Sequence, residues 1–343
     1  MRIAIDGREL HGQPTGVGRF LTKVMTAWKT LPAARSHEFI LLAPEPGRGS
    51  VRWEQFTLPH LVRHARADVL FAPAYTGPVC SSVPMVVAIY DVSFAAHPEW
   101  FGRREGLRRR LLTRLSARRA VRILTTSEFS RDEIARRLGA ARARIDVIYP
   151  GVEPTGAAPA DTRREPVVLY VGSLFARRHV PELIDAFAQV ARRRPDARLE
   201  IVGANRTAPR ADFDRLVAAS GAADRITLRS YVPDEVLAGL YGRARVFAFL
   251  SEYEGFGLTP LEALAAGVPI VVLDTPVARE VYGDAALYVP RPESTLVAAA
   301  IERLLTDEIE RDRIRVAAGR LLARYSWDAC AARVLSVLLA AAA

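Results

Sequence analysis

The chain has 343 residues, 50% of them hydrophobic, and a formal net charge of +10. This length exceeds that of an ordinary single core and fits two well-packed domains. No run of about 18 or more apolar residues occurs, which argues against a membrane-spanning helix, and the two cysteines match no metal or redox spacing, so we expect a reduced, cytoplasmic chain.

The positive charge has two explanations. It favours anionic partners such as nucleotides, nucleic acid or acidic lipid. It is explained equally well by a compositional preference for Arg and by solvated helix faces. Charge alone leaves both explanations open.

Short continuous runs of Val, Ile and Leu recur along the chain, with helical patterns between them. The first half contains "MRIAID", "EFILLAP", "ADVLFAP", "MVVAIYD", "VRILTTS" and "IDVIYPG", and the second contains "VVLYVGS", "RLEIVGA", "RITLRSY", "VFAFLS" and "PIVVLD". Such runs indicate strands buried on both faces of a parallel sheet, and their alternation with helices is typical of α/β folds. The first run begins at the N-terminus, where we see no export signal.

Residues 152–165, "VEPTGAAPADTRRE", have no periodic apolar face and predict an interdomain linker. We therefore predict two doubly wound, Rossmann-like α/β domains that face each other across a cleft. They comprise residues 1–160 and 166–325, with a long amphipathic helix over about 326–343. Ligands of such sheets bind beyond the carboxyl ends of the strands, so the loops after the strands are the candidate sites.

The first candidate loop is "DGRELHGQPTGVGRF", in which Gly16 and Gly18 precede a helical pattern. Glycines at a helix start let backbone amides approach a phosphate or a sugar. Their spacing does not fit a dinucleotide-binding fingerprint. An ordinary loop with glycines at a helix start explains the segment equally well.

Residues 101–122 form a strongly basic helical pattern, with nine Arg and one Glu. Leu107, Leu111, Leu112 and Leu115 lie at helical spacings within it. One interpretation is peripheral contact with an acidic membrane, which would bring a lipid-linked acceptor close. The other is a solvated helix whose leucines pack on the sheet. Nucleic-acid binding is disfavoured, because interleaved aromatic residues are missing.

The second candidate loop lies in "YVGSLFARRHVPELIDAF". The strand pattern ends at Val171, Gly172 turns the chain, and Arg177 and Arg178 precede a helix that should begin near Pro181. Two guanidinium groups beside a helix N-terminus suit a diphosphate. A solvated basic turn is the alternative.

A metal site is not expected. Asp212 and Asp214 have the Asp-x-Asp form of metal-dependent sugar transferases, but they lie in a helical pattern where alternate residues point apart. The few His residues show no ligand spacing.

The third candidate loop follows the strand pattern "VFAFLS" and reads "EYEGFGLTPLEALAAG". Thr259 as N-cap, Pro260 at N1 and Glu262 at N3 form a capping box, with Gly267 ending the helix. That interpretation explains Glu262 and leaves Glu254 without a structural role. A Gly-Phe-Gly loop offers amides to an anion, and carboxylates beside it accept hydrogen bonds from sugar hydroxyls. The pattern therefore also predicts a nucleotide-sugar site.

Taken in order, these segments resemble retaining GT-B glycosyltransferases of the family 4 type, the glycosyl transferases group 1. The hallmark of that family is two Glu residues separated by seven others, as Glu254 and Glu262 are. "YVGSLFARRHVPELIDAF", "TTSEFSRDEIARRLG", "IDVIYPGV" and "IDGRELHGQPTGVGRF" resemble further segments, so the likeness spans nearly the whole chain. It implies metal independence, no cofactor, an N-terminal acceptor domain, a C-terminal donor domain, and a last helix that crosses back onto the N-terminal domain near Trp327.

The resemblance also implies roles for single residues. Glu262 would hold the ribose hydroxyls, Glu254 would contact the donor sugar, and Arg178 would replace the family's phosphate-binding Lys. Gly16 would line the donor phosphates or the acceptor. The backbone amides expected to touch the sugar and the distal phosphate are those of Gly255, Phe256, Gly257 and Leu258.

Two positions depart from the family pattern. Ser173 stands where Arg is frequent, with Arg177 as its compensation, and Tyr90 stands where a His commonly lies near the reaction centre. Asp91, the next residue, is either an acceptor contact at the catalytic centre or a strand-end turn residue.

The resemblance predicts a transferase that moves a hexose, with mannose as the first candidate, from a GDP-, UDP- or dTDP-linked donor. The acceptor would be a glycan, a lipid-linked or a small molecule in surface polysaccharide or glycoconjugate biosynthesis, at the inner face of the membrane. Glu254, Arg178 and Asp91 are the predicted catalytic residues. The departures keep open a non-catalytic nucleotide-sugar-binding subunit, while the Glu pair argues against a GT-B nucleotide-sugar epimerase.

Overall fold

The computed structural model of the chain describes residues 1–10, 16–45, 47, 49–153 and 164–343. These form two compact units: the first unit is Met1–Gly151 with Tyr325–Ala343, and the second unit is Val152–Arg324. Each unit is built on a six-stranded sheet in which the strand pairs are parallel. Residues 154–163 of the predicted linker lie outside the described residues.

The sheet of the first unit has the strand order β2-β1-β3-β4-β5-β6. Its strands are β1 (Arg2–Asp6), β2 (Glu38–Leu42), β3 (Val69–Ala72), β4 (Met85–Ala88), β5 (Arg122–Thr125) and β6 (Ile145–Val147). Its helices are α1 (Gly16–Thr30), α2 (Leu58–His64), α3 (Ser93–Ala96), α4 (Arg103–Arg119), α5 (Glu128–Leu138) and, at the end of the chain, α13 (Trp327–Ala342).

Alternate residues of one strand serve two separate cores, as expected for a sheet covered on both faces. Ile3 and Ile5 of β1 pack in a cluster with α1 and α13, whereas Ala4 packs in a second cluster with residues of α2, α4 and α5. This double burial explains why the strand patterns are continuous rather than alternating.

Helix α13 returns to the first unit, as the resemblance implied. Cys330, Val334 and Leu335 are buried in the cluster that holds α1, and the Trp28 Nε1–H donates a hydrogen bond of 2.9 Å to the carbonyl of Ala331. The Trp327 ring lies edge-on to Phe20, with 6.0 Å between centroids. The last helix is therefore part of the core that the first residues of the chain build.

The sheet of the second unit has the order β12-β11-β10-β7-β8-β9. Its strands are β7 (Val167–Val171), β8 (Arg198–Val202), β9 (Ile226–Arg229), β10 (Val246–Phe249), β11 (Ile270–Leu273) and β12 (Leu287–Val289). Its helices are α6 (Val180–Arg193), α7 (Phe213–Ala219), α8 (Asp234–Arg243), α9 (Leu258–Ala265), α10 (Pro276–Tyr282), α11 (Ser294–Thr306) and α12 (Glu308–Leu322).

The strand order reverses direction between β7 and β10 in the second unit, and between β1 and β3 in the first. Neighbouring loops diverge at such a switch point and leave a crevice at the carboxyl ends of the strands. The loops that follow β7 and β10 are two of the three candidate loops. Within the described parts of the chain, no helix has the length and apolar character needed to cross a membrane.

Candidate functional site

The loops after β7 and β10 are joined by a charged pair. The Arg178 Nε–H donates to Glu254 Oε1 over 2.8 Å, and the Ser251 hydroxyl donates to the same oxygen over 2.9 Å. The side chains of Arg178 and Glu254 are only 14% and 15% exposed. Glu254 thus has a structural partner, which corrects the expectation that it had no structural role.

Both members of this pair are held in their charged forms. Burial disfavours the Glu254 carboxylate, but the positive charges of Arg178 and Arg177 outweigh it and lower the pKa of Glu254 below its ordinary value. Burial also opposes the charge of Arg178, but Glu254 and Tyr170 raise the pKa of that guanidinium. The loop after β7 therefore carries a fixed cation at neutral pH.

Backbone contacts fasten the same two loops. The Arg177 Nε–H donates to the carbonyl of Tyr253 over 3.1 Å, and the Glu252 N–H donates to the carbonyl of Arg177 over 3.0 Å. The Arg177 guanidinium lies 4.4 Å from the centre of the Phe175 ring. The Arg178 guanidinium lies 5.4 Å from the centre of the same ring, so both guanidinium groups lie near Phe175 and contact the loop after β10.

Ser173 contributes to the site through its backbone. Its carbonyl accepts hydrogen bonds from the Tyr170 hydroxyl, at 3.1 Å, and from Arg178 Nη1, at 3.0 Å. Burial raises the pKa of Tyr170 to about 12, although Arg178 opposes that rise, so the phenol stays neutral and can donate. Arg178 donates to Ser173 and Glu254 and also contacts the Tyr170 hydroxyl, and a guanidinium, with five N–H donors, is suited to binding an anion.

Close backbone approach explains two glycines at this edge of the sheet. Gly172 has φ +148°, and a Cβ there would lie 2.8 Å from Arg178 Nη1. A Cβ on Gly203, after β8, would lie 1.8 Å from the carbonyl oxygen of Gly172. A side chain at Gly172 would displace the Arg178 guanidinium, and one at Gly203 would displace the backbone of the loop that carries the arginines.

Helix α9 begins two residues earlier than a Thr259 cap requires, and the predicted capping box is wrong. Gly257, with φ +91°, is the N-cap, Leu258 is the first helical residue, and no side chain caps the helix. Glu262 lies inside the helix, is buried, and accepts a 3.4 Å hydrogen bond from the Tyr241 hydroxyl. The left-handed backbone of Gly257 sets the start of the helix. The spacing of Thr259 and Glu262 along the chain does not show that conformation.

The end of α9 agrees with the prediction. Gly267 has φ +75°, its N–H donates to the Leu264 carbonyl over 2.9 Å, and the Val268 N–H donates to the Ala263 carbonyl over 2.8 Å. This is a Schellman motif, in which a left-handed glycine closes the helix. The start of the same helix lies beside the buried residues Gly255 and Phe256, and the N–H groups of a first turn have no partner within their own helix.

The other predicted residues lie in the first unit. Gly16 is the first residue of α1, and residues 11–15 of its loop are outside the described residues. Asp91 accepts hydrogen bonds of 2.8 Å from the Tyr75 hydroxyl and from the Ser93 N–H. Both carboxylate oxygens thus support the turn after β4, as the strand-end interpretation predicts, and acceptor contact by Asp91 remains a prediction.

Tyr90, the departure beside Asp91, is an aromatic packing residue in this structure. Its ring lies edge-on to Phe20 and Tyr75, at centroid distances of 5.5 and 5.6 Å. Its hydroxyl is buried without a hydrogen-bond partner among the described residues, and burial raises its pKa well above the ordinary value.

Sequence reasoning missed a polar cluster at the switch point of the first unit. Asp6 and Glu54 are buried carboxylates that flank Arg8, and Arg8 pairs with both of them and donates to the Thr76 carbonyl over 2.8 Å. Arg8 and Glu54 border a pocket of about 510 Å³, to which helix α4 contributes Arg108. The signal was available in "AIDGRE", where charged residues follow a buried strand directly.

The described residues include no group of three or more His, Cys, Asp or Glu side chains placed to hold a metal ion. The Asp212 carboxylate caps α7 by accepting a 3.0 Å hydrogen bond from the Arg215 N–H. The Asp-x-Asp pattern therefore has a local structural role at Asp212.

Comparison with known proteins identifies the class. The model of the family "Glycosyl transferases group 1" matches residues 158–338, and that of "Glycosyltransferase Family 4" matches residues 22–155. The chain belongs to the group 1 glycosyl transferases, and it is a glycosyltransferase. The family resemblance inferred from the sequence is thereby confirmed.

Individual relatives agree with this assignment. The chain is 28% identical to alpha-D-kanosaminyltransferase of Streptomyces kanamyceticus over 82% of its own length and 79% of that protein. It is 29% identical to O-antigen chain mannosyltransferase B of Escherichia coli over 73% of its own length and 69% of the relative. The crystal structure of Anabaena HepE in complex with UDP and glucose superposes with a TM-score of 0.76, at 19% identity, over 99% of this chain and 100% of that one. These matches confirm the predicted GT-B fold of two Rossmann-like domains.

Proposed function

We propose that this glycosyltransferase transfers a hexose with retention of configuration from a nucleotide-sugar whose diphosphate binds between the loops after β7 and β10. The observation that carries the proposal is the ionised Arg178–Glu254 pair at the switch point of the second sheet. Arg177 lies directly beside it, and the start of α9 follows on the same loop as Glu254. Clustered guanidinium groups and first-turn amides form an anion site.

Each predicted donor contact has a physical basis. Arg178, Arg177 and the amides near Gly257 and Leu258 would bind the diphosphate. Glu262, which accepts a hydrogen bond from the Tyr241 hydroxyl, would also accept hydrogen bonds from the ribose diol. Glu254 would orient Arg178 and accept a hydroxyl of the donor sugar.

Arg178 acts most strongly on the leaving group. When the bond from the sugar to the diphosphate breaks, the ring passes through an oxocarbenium-like state and negative charge grows on the departing phosphate. A cation fixed in place before the reaction stabilises that charge without reorganisation at the moment of bond cleavage. Glu254 keeps this cation in position, which makes the pair the proposed centre of catalysis, with Asp91 as a candidate acceptor contact.

The choice of donor rests on the relatives. One is named an O-antigen chain mannosyltransferase, another a kanosaminyltransferase, and the HepE structure holds UDP and glucose. We propose a hexose donor, with GDP-mannose as the first candidate and UDP- and dTDP-hexoses as the next ones. The acceptor would be a glycan, a lipid-linked or a small molecule in surface polysaccharide or glycoconjugate synthesis.

A donor panel tests this proposal. Isothermal titration with GDP-, UDP- and dTDP-hexoses should show binding of at least one of them, and donor turnover should fall about 100-fold in Glu254→Gln because the leaving-group cation is no longer held. Glu302→Gln is the matched control, because Glu302 pairs with Arg193 at an exposed position of the same unit. Unchanged turnover in Glu254→Gln would refute the assigned site.

The same assay distinguishes an active transferase from a non-catalytic nucleotide-sugar-binding subunit. The second possibility is favoured by Tyr90, a packing residue at the position where the family commonly has a His. Tight donor binding with neither hydrolysis nor transfer to any acceptor would support that alternative. Turnover by the wild type would exclude it.

Helix α4 supports a membrane-contact proposal. Leu107 and Leu111 are 66% and 55% exposed, and the face that packs inward consists of the small or polar residues Gly106, Thr113, Ser116 and Ala117. The interpretation in which all the leucines pack on the sheet is therefore wrong for these two. We propose that the exposed leucines and the surrounding arginines bind an acidic lipid surface.

Helix α4 also lines the pocket of the first unit, where an acceptor could bind. Arg108, Leu112 and Thr113 of α4 line it together with Arg8 and Glu54. A helix that rests on lipid and also forms one wall of a polar pocket suits an acceptor attached to a lipid carrier. We therefore propose a lipid-linked acceptor as the first candidate.

Vesicle flotation tests the membrane proposal. The wild type should float with vesicles that contain phosphatidylglycerol at low salt, and Leu107→Glu with Leu111→Glu should abolish flotation. Ile309→Glu, at an 83% exposed position of α12, is the control for an added surface charge. Failure of the wild type to bind these vesicles would refute the proposal.

A further inference from the structure

His179 has an unusual backbone conformation for its residue type. It follows Arg178 directly, precedes α6 as its N-cap, and adopts φ 49° and ψ 41° in the left-handed region. For a residue with a Cβ this conformation costs about 1 kcal/mol or more, and glycine adopts it freely. A strained His beside a proposed phosphate-binding Arg calls for an explanation in terms of its side chain.

The imidazole of His179 lies between two carboxylates from different elements. Its Nδ1 is 3.2 Å from Glu182 Oε1, on the first turn of α6, and its Nε2 is 3.5 Å from Glu252 Oε2, on the loop after β10. The side chain is only 17% exposed. The contact with Glu182 is a hydrogen bond, whereas the contact with Glu252 is a charge contact, because Nε2 is buried without a hydrogen-bond partner among the described residues. A neutral imidazole gains little from the second carboxylate, whereas the imidazolium is attracted to both.

We infer that His179, as an imidazolium, is a positioning residue that ties the loop after β10 to the start of α6 and so holds the Arg178–Glu254 pair in its donor-binding geometry. The inference rests on the proposed function. His179 acts through its neighbours: Glu252 and Glu254 lie on one loop, and Arg178 and His179 are consecutive. The imidazolium also adds a positive charge next to the site of the diphosphate.

The carboxylates that face the ring favour protonation. Burial lowers the pKa of His179, but Glu182 on α6 and Glu252 on the loop after β10 raise it by more. The charged residues that precede His179 directly in the chain are Arg177 and Arg178. Because its pKa is raised, His179 is an imidazolium at low pH and then pairs with both Glu182 and Glu252. Donor affinity should therefore fall as the pH rises through that pKa.

Titration of intact GDP-mannose, UDP-glucose and dTDP-glucose between about pH 6 and about pH 9 tests the inference. A nucleotide-sugar has no terminal phosphate monoester, so the ligand itself has no titration step near pH 6. We expect the wild type to lose about fivefold in affinity across this range, the effect of one partly buried charge near an anion. The loss should appear in the donor KM more than in kcat.

Three variants separate positioning from general structure. His179→Gly should fold at least as well as the wild type, because glycine removes the strain, and should bind weakly at every pH. His179→Asn tolerates the left-handed conformation and carries no charge, so its affinity should be equally independent of pH. Glu252→Gln keeps the His but removes one facing carboxylate, so its affinity step should move to lower pH. His97→Asn is the control, since His97 also contacts a carboxylate, at 3.0 Å from Glu99 in the other unit.

Different results would refute the role of His179 and the donor site itself. A pH step that survives unchanged in His179→Gly, or fails to move in Glu252→Gln, would overturn the role of His179 and leave the donor site standing. Absence of binding by the wild type to all three nucleotide-sugars would overturn the donor site, and the inference with it.

Discussion

Single residues of the proposed donor site are held by partners far away in the chain. Arg178 and Glu254 are 76 positions apart, yet their side chains meet at 2.8 Å with little exposure to solvent. Removing one partner of such a pair leaves the other charge buried and unpaired, which costs more than the pair itself contributes. This pair therefore affects stability as well as donor binding.

Glu254→Gln should lower the free energy of unfolding by about 2 to 3 kcal/mol, since the amide keeps a hydrogen bond but leaves Arg178 without a counter-charge. Urea denaturation at about pH 7 measures this. Glu302→Gln, which loses an exposed pair, should change stability by less than about 1 kcal/mol. Equal effects of the two substitutions would contradict the buried character of the Arg178–Glu254 pair.

The Tyr282 hydroxyl leaves no room for a side chain at Gly257. A Cβ there would lie 2.1 Å from the Tyr282 hydroxyl oxygen, and that hydroxyl donates to the Gly257 carbonyl over 3.0 Å. Gly257→Ala should destabilise the protein by about 2 kcal/mol or more, through strain at φ +91° and the collision.

Adding Tyr282→Phe to Gly257→Ala should recover part of this loss, because the atom in collision is removed while the strain at φ remains. Thermal unfolding of both single variants and the double variant measures the coupling. Strict additivity would show that the collision does not occur.

At the scale of elements, the switch points of the two sheets gather the polar groups. Strand β1 ends at Asp6, which is fully buried and paired with Arg8, and strands β7 and β10 lead into the arginine and glutamate loops. Burial raises the pKa of Asp6 to about 6, although Arg8 opposes that rise. The folded state therefore favours the protonated carboxyl.

This shift predicts how stability depends on pH. Because the pKa of Asp6 rises on folding, from 3.8 to about 6, stability should fall as the pH rises from about 4 to about 6 and then remain level, by about 3 kcal/mol in all. Asp6→Asn should remove that component of the decline. Urea midpoints of the wild type and the variant against pH measure it, with Asp68→Asn at an exposed position as the control. Parallel curves for the wild type and Asp6→Asn would contradict the raised pKa.

Strands and helices were predictable from the apolar pattern of neighbouring residues, whereas the exact ends of helices were harder to predict. The strand patterns of both halves appear as strands, and Gly267 ends α9 as its position predicts. The start of α9 was misassigned because Gly257 turns the chain before Thr259 can cap it. The leucines of α4 were ambiguous because helical spacing shows which residues share a face and not what that face contacts.

At the scale of the whole molecule, the chain begins and ends in the same core. Leu335 of α13 is buried with residues of β1 and α1, although more than 300 residues separate these segments. Such contacts make the last helix a structural part of the first unit.

Leu335→Ala should therefore destabilise the first unit by about 2 to 5 kcal/mol, through lost burial and the cavity left behind. Ser336→Ala, at the exposed neighbouring position, should be close to neutral. Differential scanning calorimetry of the two variants measures the difference. Similar melting temperatures for both would show that α13 contributes little to this core.

The sequence by itself determined the α/β class, the family and the residues of the Glu pair, because continuous apolar runs and a fixed spacing of seven residues are local properties of the chain. Only the tertiary structure decided that Glu254 pairs with Arg178, that Glu262 is buried beside Tyr241, and that His179 bridges Glu182 and Glu252. The order of strands in the sheet makes the loops after β7 and β10 neighbours, and a contact that depends on strand order has no signature in the spacing of residues along the chain.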